Sequence, residues 1–310
     1  MGKLYFQRKV TAGVVLSAVL TVVTSSGALW SHTEKVHAWS HQSAAAVGES
    51  MSVVYGKQNP NCSQFQAFGY PMPKTDGVVE RSYSTCRLGY AGMYDAEVKT
   101  PLWVAERIKR DDLKGVAKRD GLDFQDDPQV PPLDGGNQYK RSGFDKGHLA
   151  PAADFRWSQE AMNQSFIFSN AVPQNPIHNQ KIWGNLESMV REMASRRGVL
   201  VVFTGPVFTK PVSWLHHGRK SQERQSGSIP VPAAMFKVIV DPATKDMTAF
   251  VIPNDGLQGE EPSRFQLSVR EVERVTGLDF NPDLSRSEAD RLEANGDAWV
   301  LPKVRGGFRE

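Results

Sequence analysis

The chain has 310 residues, 40% hydrophobic and 23% charged, enough apolar content to bury a real core and too much for a disordered chain. Its formal net charge is +3, and Lys3, Arg8 and Lys9 supply three positives, while Glu34 and Lys35 cancel. The remaining body is balanced, which excludes a general positive field as the means of binding any polyanion and leaves only local clusters.

Lys3, Arg8 and Lys9 precede an uncharged stretch, Val10 to Trp30, with an apolar centre from Val14 to Val23. Residues 1–38 therefore read as a signal peptide, with Ser26-Gly-Ala28 and Val36-His-Ala38 as cleavage sites, or as an uncleaved anchor through residues 10–30. Either reading implies a periplasmic or secreted chain, with membrane contact only if the segment is retained. Residues 39–55 read as a flexible leader, and 56–310 as a single domain. Cys62 and Cys86 are the two cysteines. In an exported chain they are expected to form a disulfide, and they are too few for a cysteine-rich zinc site.

Residues 56–80, rich in Gly, Pro, Asn and Lys, suit loop and short strands. Trp103 to Ile108 reads as a strand, followed by a basic stretch through Lys109, Arg110, Lys114, Lys118 and Arg119. Phe144 to Leu149 is strand-like, a helix starts after Ser158, and Phe166 to Phe168 reads as a buried strand stopped by the prolines that follow. From Asn179 the apolar period becomes helical through Ile182, Leu186, Met189, Val190 and Met193, and Gly198 ends the helix. Asn179 also suits the N-cap of that helix. Val199 to Phe203 is a continuous apolar strand. Met235 to Val240 and Thr248 to Ile252 form a hairpin. Capping boxes at Ser268 and Ser285 open two further helices. Strand runs between helices predict a mixed α+β fold.

The chemistry concentrates in the middle. Ser142-Gly-Phe-Asp-Lys-Gly-His148-Leu-Ala-Pro151 surrounds one histidine with Lys140, Arg141 and Lys146, and Asn179, Glu187 and Arg191 follow. A base titrating near neutrality, an oxygen ligand, a carboxylate and several cations are what metal-assisted attack on a phosphodiester requires. His148 is the candidate base and Asn179 the candidate ligand. Eight helical residues place Glu187 about 12 Å further along the axis and ~80° round, which assigns it to a metal-bound water. Arg191 lies one turn beyond Glu187. Asp145 reads as a residue fixing the local loop, since strand alternation sends 145 and 148 to opposite faces.

Over roughly residues 62–280 the chain resembles the DNA/RNA non-specific endonuclease family. The likeness runs through Pro101-Leu-Trp103, Lys118-Arg119, Asp127-Pro128, Gly143-Phe-Asp-Lys-Gly-His148-Leu-Ala-Pro151, Ser169-Asn170, Pro173-Gln174, Asn179, Trp183, Leu186-Glu187 and Thr204-Gly-Pro206. The resemblance implies a ββα-metal finger embedded in a mixed, mainly antiparallel, sheet-rich domain. It implies that His148 is the general base, that Asn179 is the sole direct protein ligand of a hydrated Mg²⁺ (with Mn²⁺ able to substitute), and that Glu187 holds a metal water. Arg119 and Arg191 would meet the phosphate, with Asn170 and Gln174 as supporting polar residues. Lys140 and Arg141 are further candidates for substrate contact. Lys146 stands where the family motif usually has arginine, which keeps the charge and loses the fork. The implied partners are DNA and RNA, gripped through phosphates, with any protein inhibitor unknown. The alternatives are a phosphodiesterase of small nucleotides and a non-catalytic nucleic-acid-binding protein on the same scaffold.

Overall fold

Alternation along four long apolar strands accounts for the architecture. The computed structural model describes residues 60–75, 78, 81–133, 135–295 and 299–302. The signal, anchor and leader readings for residues 1–55 lie outside them. In chain order the strands are β1 (Met72–Pro73), β2 (Ser82–Cys86), β3 (Tyr90–Asp95), β4 (Thr100–Lys109), β5 (Asp145–His148), β6 (Ala171–Gln174), β7 (Val199–Val207), β8 (Ser213–His216), β9 (Arg219–Ser221), β10 (Ile229–Val231), β11 (Ala234–Val240), β12 (Met247–Pro253), β13 (Gln266–Leu267) and β14 (Leu278–Asp279). Seven of them form one sheet in the order β13-β12-β11-β7-β4-β3-β2. All its pairings are antiparallel.

Both faces of this sheet are covered, so its central strands are apolar at nearly every position. On β7, Leu200 and Val202 join one core while Val201, Phe203 and Val207 join the other. On β11, Met235 and Ile239 face the first core, Phe236 and Val238 the second. This is the period of two that a pleated strand imposes. The first core takes the helix Gly184–Arg197 through Leu186, Met189 and Val190. The second takes the helix Val269–Thr276 through Val269, Val272 and Val275, together with Cys62 and Phe65. Leu186 is fully buried, so Leu186→Ala removes about 2–5 kcal/mol and loosens the helix that carries the site.

The expected caps are present. Ser158, Ser268 and Ser285 each accept a bond from the backbone N–H three residues on, and Gly277 ends its helix with φ 70°. The disulfide Cys62–Cys86 is formed. Two local expectations fail. Phe166 to Phe168 is not a strand. The chain makes a short 3-10 turn over Phe168–Asn170, and the strand is the later β6. Pro173 lies inside β6, opposite Lys146. A two-stranded ribbon leaves one side of each strand unpaired, so a residue without an N–H is tolerated there. Asn179 is not an N-cap either. Asn175 caps the helix, with its Oδ1 accepting from Ile177 N at 2.9 Å, and Pro176 takes the first helical position, where a missing N–H costs nothing.

Candidate active site

Three pieces of chain converge on the first core's side of the sheet. The ribbon β5–β6 is antiparallel, with His148 opposite Ala171 and Asp145 opposite Gln174. Gly147 is required there, because a Cβ at that position would lie 2.2 Å from the Gln174 side chain. The helix that follows opens with a π-helical stretch, His178–Trp183, and then runs on as Gly184–Arg197. Such a bulge inserts one residue into the helical count. The eight residues from Asn179 to Glu187 then turn like seven, and the two side chains lie about 20° apart round the axis rather than ~80°.

These elements enclose a cavity of about 1070 Å³. Arg119, Lys146, His148, Asn179, Glu187 and Arg191 all line it. Asp145 lines it as well, although strand alternation had sent it to the other face. β5 is only four residues long, and Asp145 reaches the rim from its open end.

His148 packs between two rings, Phe124 at 4.6 Å and Phe166 at 4.7 Å between centroids. Its Nε2 is buried and has no hydrogen-bond partner among the described residues. Burial, reinforced by the nearby Arg119 cation, lowers its pKa to about 3, so the imidazole is neutral at pH 7 and keeps an available lone pair. The Arg119 guanidinium lies 5.9 Å from the Phe166 ring centroid, sharing that ring with His148.

Asn179 is oriented by Asp145. Its Nδ2 donates to Asp145 Oδ2 at 3.0 Å, and Gln180 Nε2 donates to the same oxygen at 2.8 Å. With the amide nitrogen thus engaged, Oδ1 is the remaining donor atom for a cation. Glu187 is 7% exposed and faces the same space. Arg191 donates from Nη1 to Asp154 Oδ1 at 2.9 Å and from Nη2 to Ser188 Oγ at 3.1 Å. An amide oxygen and a carboxylate, with no thiolate, fit a hard, strongly hydrated cation such as Mg²⁺. A second acidic group, Glu273, Asp279 and Glu293, does not line this cavity, and its Glu273 is already held by Lys74 at 2.8 Å.

Other expected site residues are placed differently. Asn170 is fully buried. Its Nδ2 donates to Ala150 O and Ser165 O, and its Oδ1 accepts from Ala150 N. It braces the chain just after His148 and does not line the cavity. Gln174 is also fully buried, beneath Gly147, and does not line the cavity. Lys140 and Arg141 are exposed but do not line the cavity, because they occupy the turn leading into β5. Lys146 lines the cavity, yet its Nζ is 2.6 Å from Asp123 Oδ1. Asp145, Asp154 and Ser188 are the members that sequence reasoning did not assign to the site. The period-2 rule hid Asp145, and Asp154 sits in a 3-10 turn, Ala152–Phe155, that has no sequence signature.

The model of DNA/RNA non-specific endonucleases matches residues 69–287. The chain belongs to the DNA/RNA non-specific endonuclease family. It is 35% identical over 237 residues to the mitochondrial nuclease EXOG of Danio rerio, covering 73% of this chain and 66% of that protein. It is 34% identical over 207 residues to mitochondrial endonuclease G of Bos taurus, covering 64% of this chain and 69% of that one. The chain thus spans about two thirds of the length of these relatives. Among solved structures, the EndoG/EndoGI complex matches with a TM-score of 0.60 at 27% identity, over 72% of this chain and 92% of that one. Family membership makes this an enzyme fold of the metal-dependent nucleases and confirms the ββα-metal finger in a mainly antiparallel α+β domain. The expectation of a periplasmic or secreted protein is overturned, since these relatives are mitochondrial nucleases.

Proposed function

We propose that this chain is a Mg²⁺-dependent endonuclease that hydrolyses phosphodiester bonds of both DNA and RNA, with residues 56–310 as the nuclease domain. One observation carries the reading: the unpartnered Nε2 of a neutral His148 and the oriented amide of Asn179 share one polar cavity with Glu187, Arg119 and Arg191.

His148 takes a proton from a water aligned with the scissile phosphorus. Its neutrality at pH 7 is what permits this, and the proton fills the position that the fold leaves without a bond. The water oxygen bonds to phosphorus as the ester oxygen on the far side departs. Asn179 Oδ1 would bind Mg²⁺ directly, and Glu187 would hold one of its waters. The ion, when bound, supplies charge neutralisation at the leaving oxygen, and Mn²⁺ would substitute on the same oxygen ligands. Arg119 and Arg191 offset the charge on the equatorial phosphate oxygens. Asp154 and Ser188 hold the Arg191 fork in place.

Phosphate carries no sequence information, so a site built from these groups cleaves with weak base preference. The groups assigned here meet the phosphate and the metal rather than the sugar, which supports activity on both polymers. The likeness to a nuclease solved with an inhibitor supports a protein inhibitor as a further partner. The test is degradation of plasmid DNA and of RNA under a Mg²⁺ titration, with an EDTA control. Loss of both activities in EDTA and recovery with Mg²⁺ is expected; equal hydrolysis in EDTA, or none at any metal concentration, rejects the reading.

A further inference from the structure

The basic stretch before Arg119 forms a ridge that leads away from the cavity. From Gly115 to Arg119 the chain runs beside Arg156–Gln159 and is clamped to it. Ala117 N donates to Arg156 O at 3.0 Å, Lys118 N donates to Gln159 Oε1 at 3.0 Å, and Gln159 Nε2 donates to Lys118 O at 2.8 Å. The approach is so close that a Cβ on Gly115 would meet Arg156 O at 1.9 Å and Trp157 N at 2.3 Å. Leu113 and Ala117 turn inward onto the core, so Lys118 is directed outward and is exposed, as is Arg156.

Trp157 stands on this ridge 39% exposed. It is one of the few large apolar side chains left in solvent among the described residues. Trp157 follows the exposed Arg156 in the chain, and its backbone N lies beside Gly115, three residues before the exposed Lys118. Neither Lys118 nor Arg156 has an acidic partner among the described residues. At the near end of the ridge Arg119 lines the cavity, and at the far end Gly115 lies against Trp157. Four residues separate those ends, a reach of at most about 14 Å.

We propose that Trp157, flanked by Lys118 and Arg156, is a stacking subsite for an unpaired base of the polynucleotide whose phosphate is held in the His148 cavity. An exposed aromatic face beside two cations is the arrangement that grips single strands, with the cations meeting phosphates and the ring accepting any base. A base inside a duplex offers no free face to the ring. This inference rests on the nuclease reading and adds how the same substrate is held outside the cavity.

The test uses the full chain with saturating Mg²⁺ and compares a fluorescent single-stranded DNA oligonucleotide with its duplex. Trp157→Ala raises KM on the single strand about tenfold, a rise in KM rather than a fall in kcat, and shifts KM on the duplex less than about twofold. Trp157→Phe, which still stacks, stays near the wild-type KM. The double variant K118A/R156A weakens binding of both substrates and flattens the salt dependence on the single strand by a slope of about 1.4, the value for two phosphates. Fluorescence anisotropy in EDTA reads the binding without cleavage, so a wild type that binds and never cleaves ends the nuclease reading, and the affinities of the Trp157 variants then decide the subsite by themselves. An unchanged single-strand affinity in Trp157→Ala overturns the subsite. An equal loss on duplex and single strand, or a phenylalanine variant as weak as the alanine one, overturns it too.

Discussion

Asp145 Oδ2 accepts the Nδ2 hydrogen of Asn179 at 3.0 Å across 34 residues of sequence. That one contact ties the strand carrying His148 to the helix carrying the proposed metal ligand. It also fixes which end of the amide faces the cavity, because a carboxylate accepts only from the nitrogen end.

Asp145→Ala frees the amide to turn and is expected to raise the Mg²⁺ concentration for half-maximal cleavage by about 10–100-fold, the usual cost of losing a group that orients a metal ligand. At saturating metal most of the turnover returns. Asn179→Ala removes the ligand itself, and saturating metal does not rescue it. Metal titrations of the two variants check both outcomes. A wild-type half-saturation in Asp145→Ala would mean that the contact does not orient the ligand.

The same contact explains how legible the site was. His148, Asn179, Glu187 and Arg191 were readable because each is a distinctive residue type in a short motif or on a helical stripe. The helical spacing of Asn179 and Glu187 was misjudged, since one inserted residue in the turn His178–Trp183 rotates one towards the other, and no propensity encodes such a bulge. Asn170 and Gln174 match the family motif in sequence, yet the Asn170 amide is spent on bonds to Ala150 and Ser165 and Gln174 is packed beneath Gly147, a distinction that only burial reveals. The apolar runs of β7, β11 and β12 were plain. β2 and β3 were missed because Ser82 to Asp95 mixes polar residues with glycine and follows no clear period.

Acid should destabilise the fold below neutrality. Burial, with Arg119 for His148, holds both His148 and His178 at about 3, against an ordinary value near 6.5. Between those limits the unfolded chain binds protons that the folded chain refuses, so stability falls as pH falls from about 6.5 towards 3 and is flat with respect to these groups above it. Thermal midpoints at pH 7.5, 6 and 5 should decline in that order, and the decline should be shallower in His148→Ala. A midpoint that holds steady down to pH 5 would contradict the neutral, buried assignment.

The Cys62–Cys86 bridge joins residues 24 apart in sequence and anchors Cys62 in the second core, on the sheet face away from the cavity. Replacing both cysteines with serine should cost roughly 3 kcal/mol and lower the thermal midpoint by about 6–12 °C. Cleavage at 25 °C should persist, because the nuclease cavity is lined by neither cysteine. Calorimetry alongside a plasmid assay separates the two effects; loss of cleavage in a folded double variant would mean that the two faces of the sheet are coupled.

The most direct measurement is the plasmid-cleavage rate of His148→Ala at saturating Mg²⁺, with circular dichroism to establish that the variant folds. The account predicts a fall of about 10²–10⁴-fold, the contribution of a positioned general base, with binding of uncleaved DNA retained. A folded variant that degrades plasmid at the wild-type rate would contradict it.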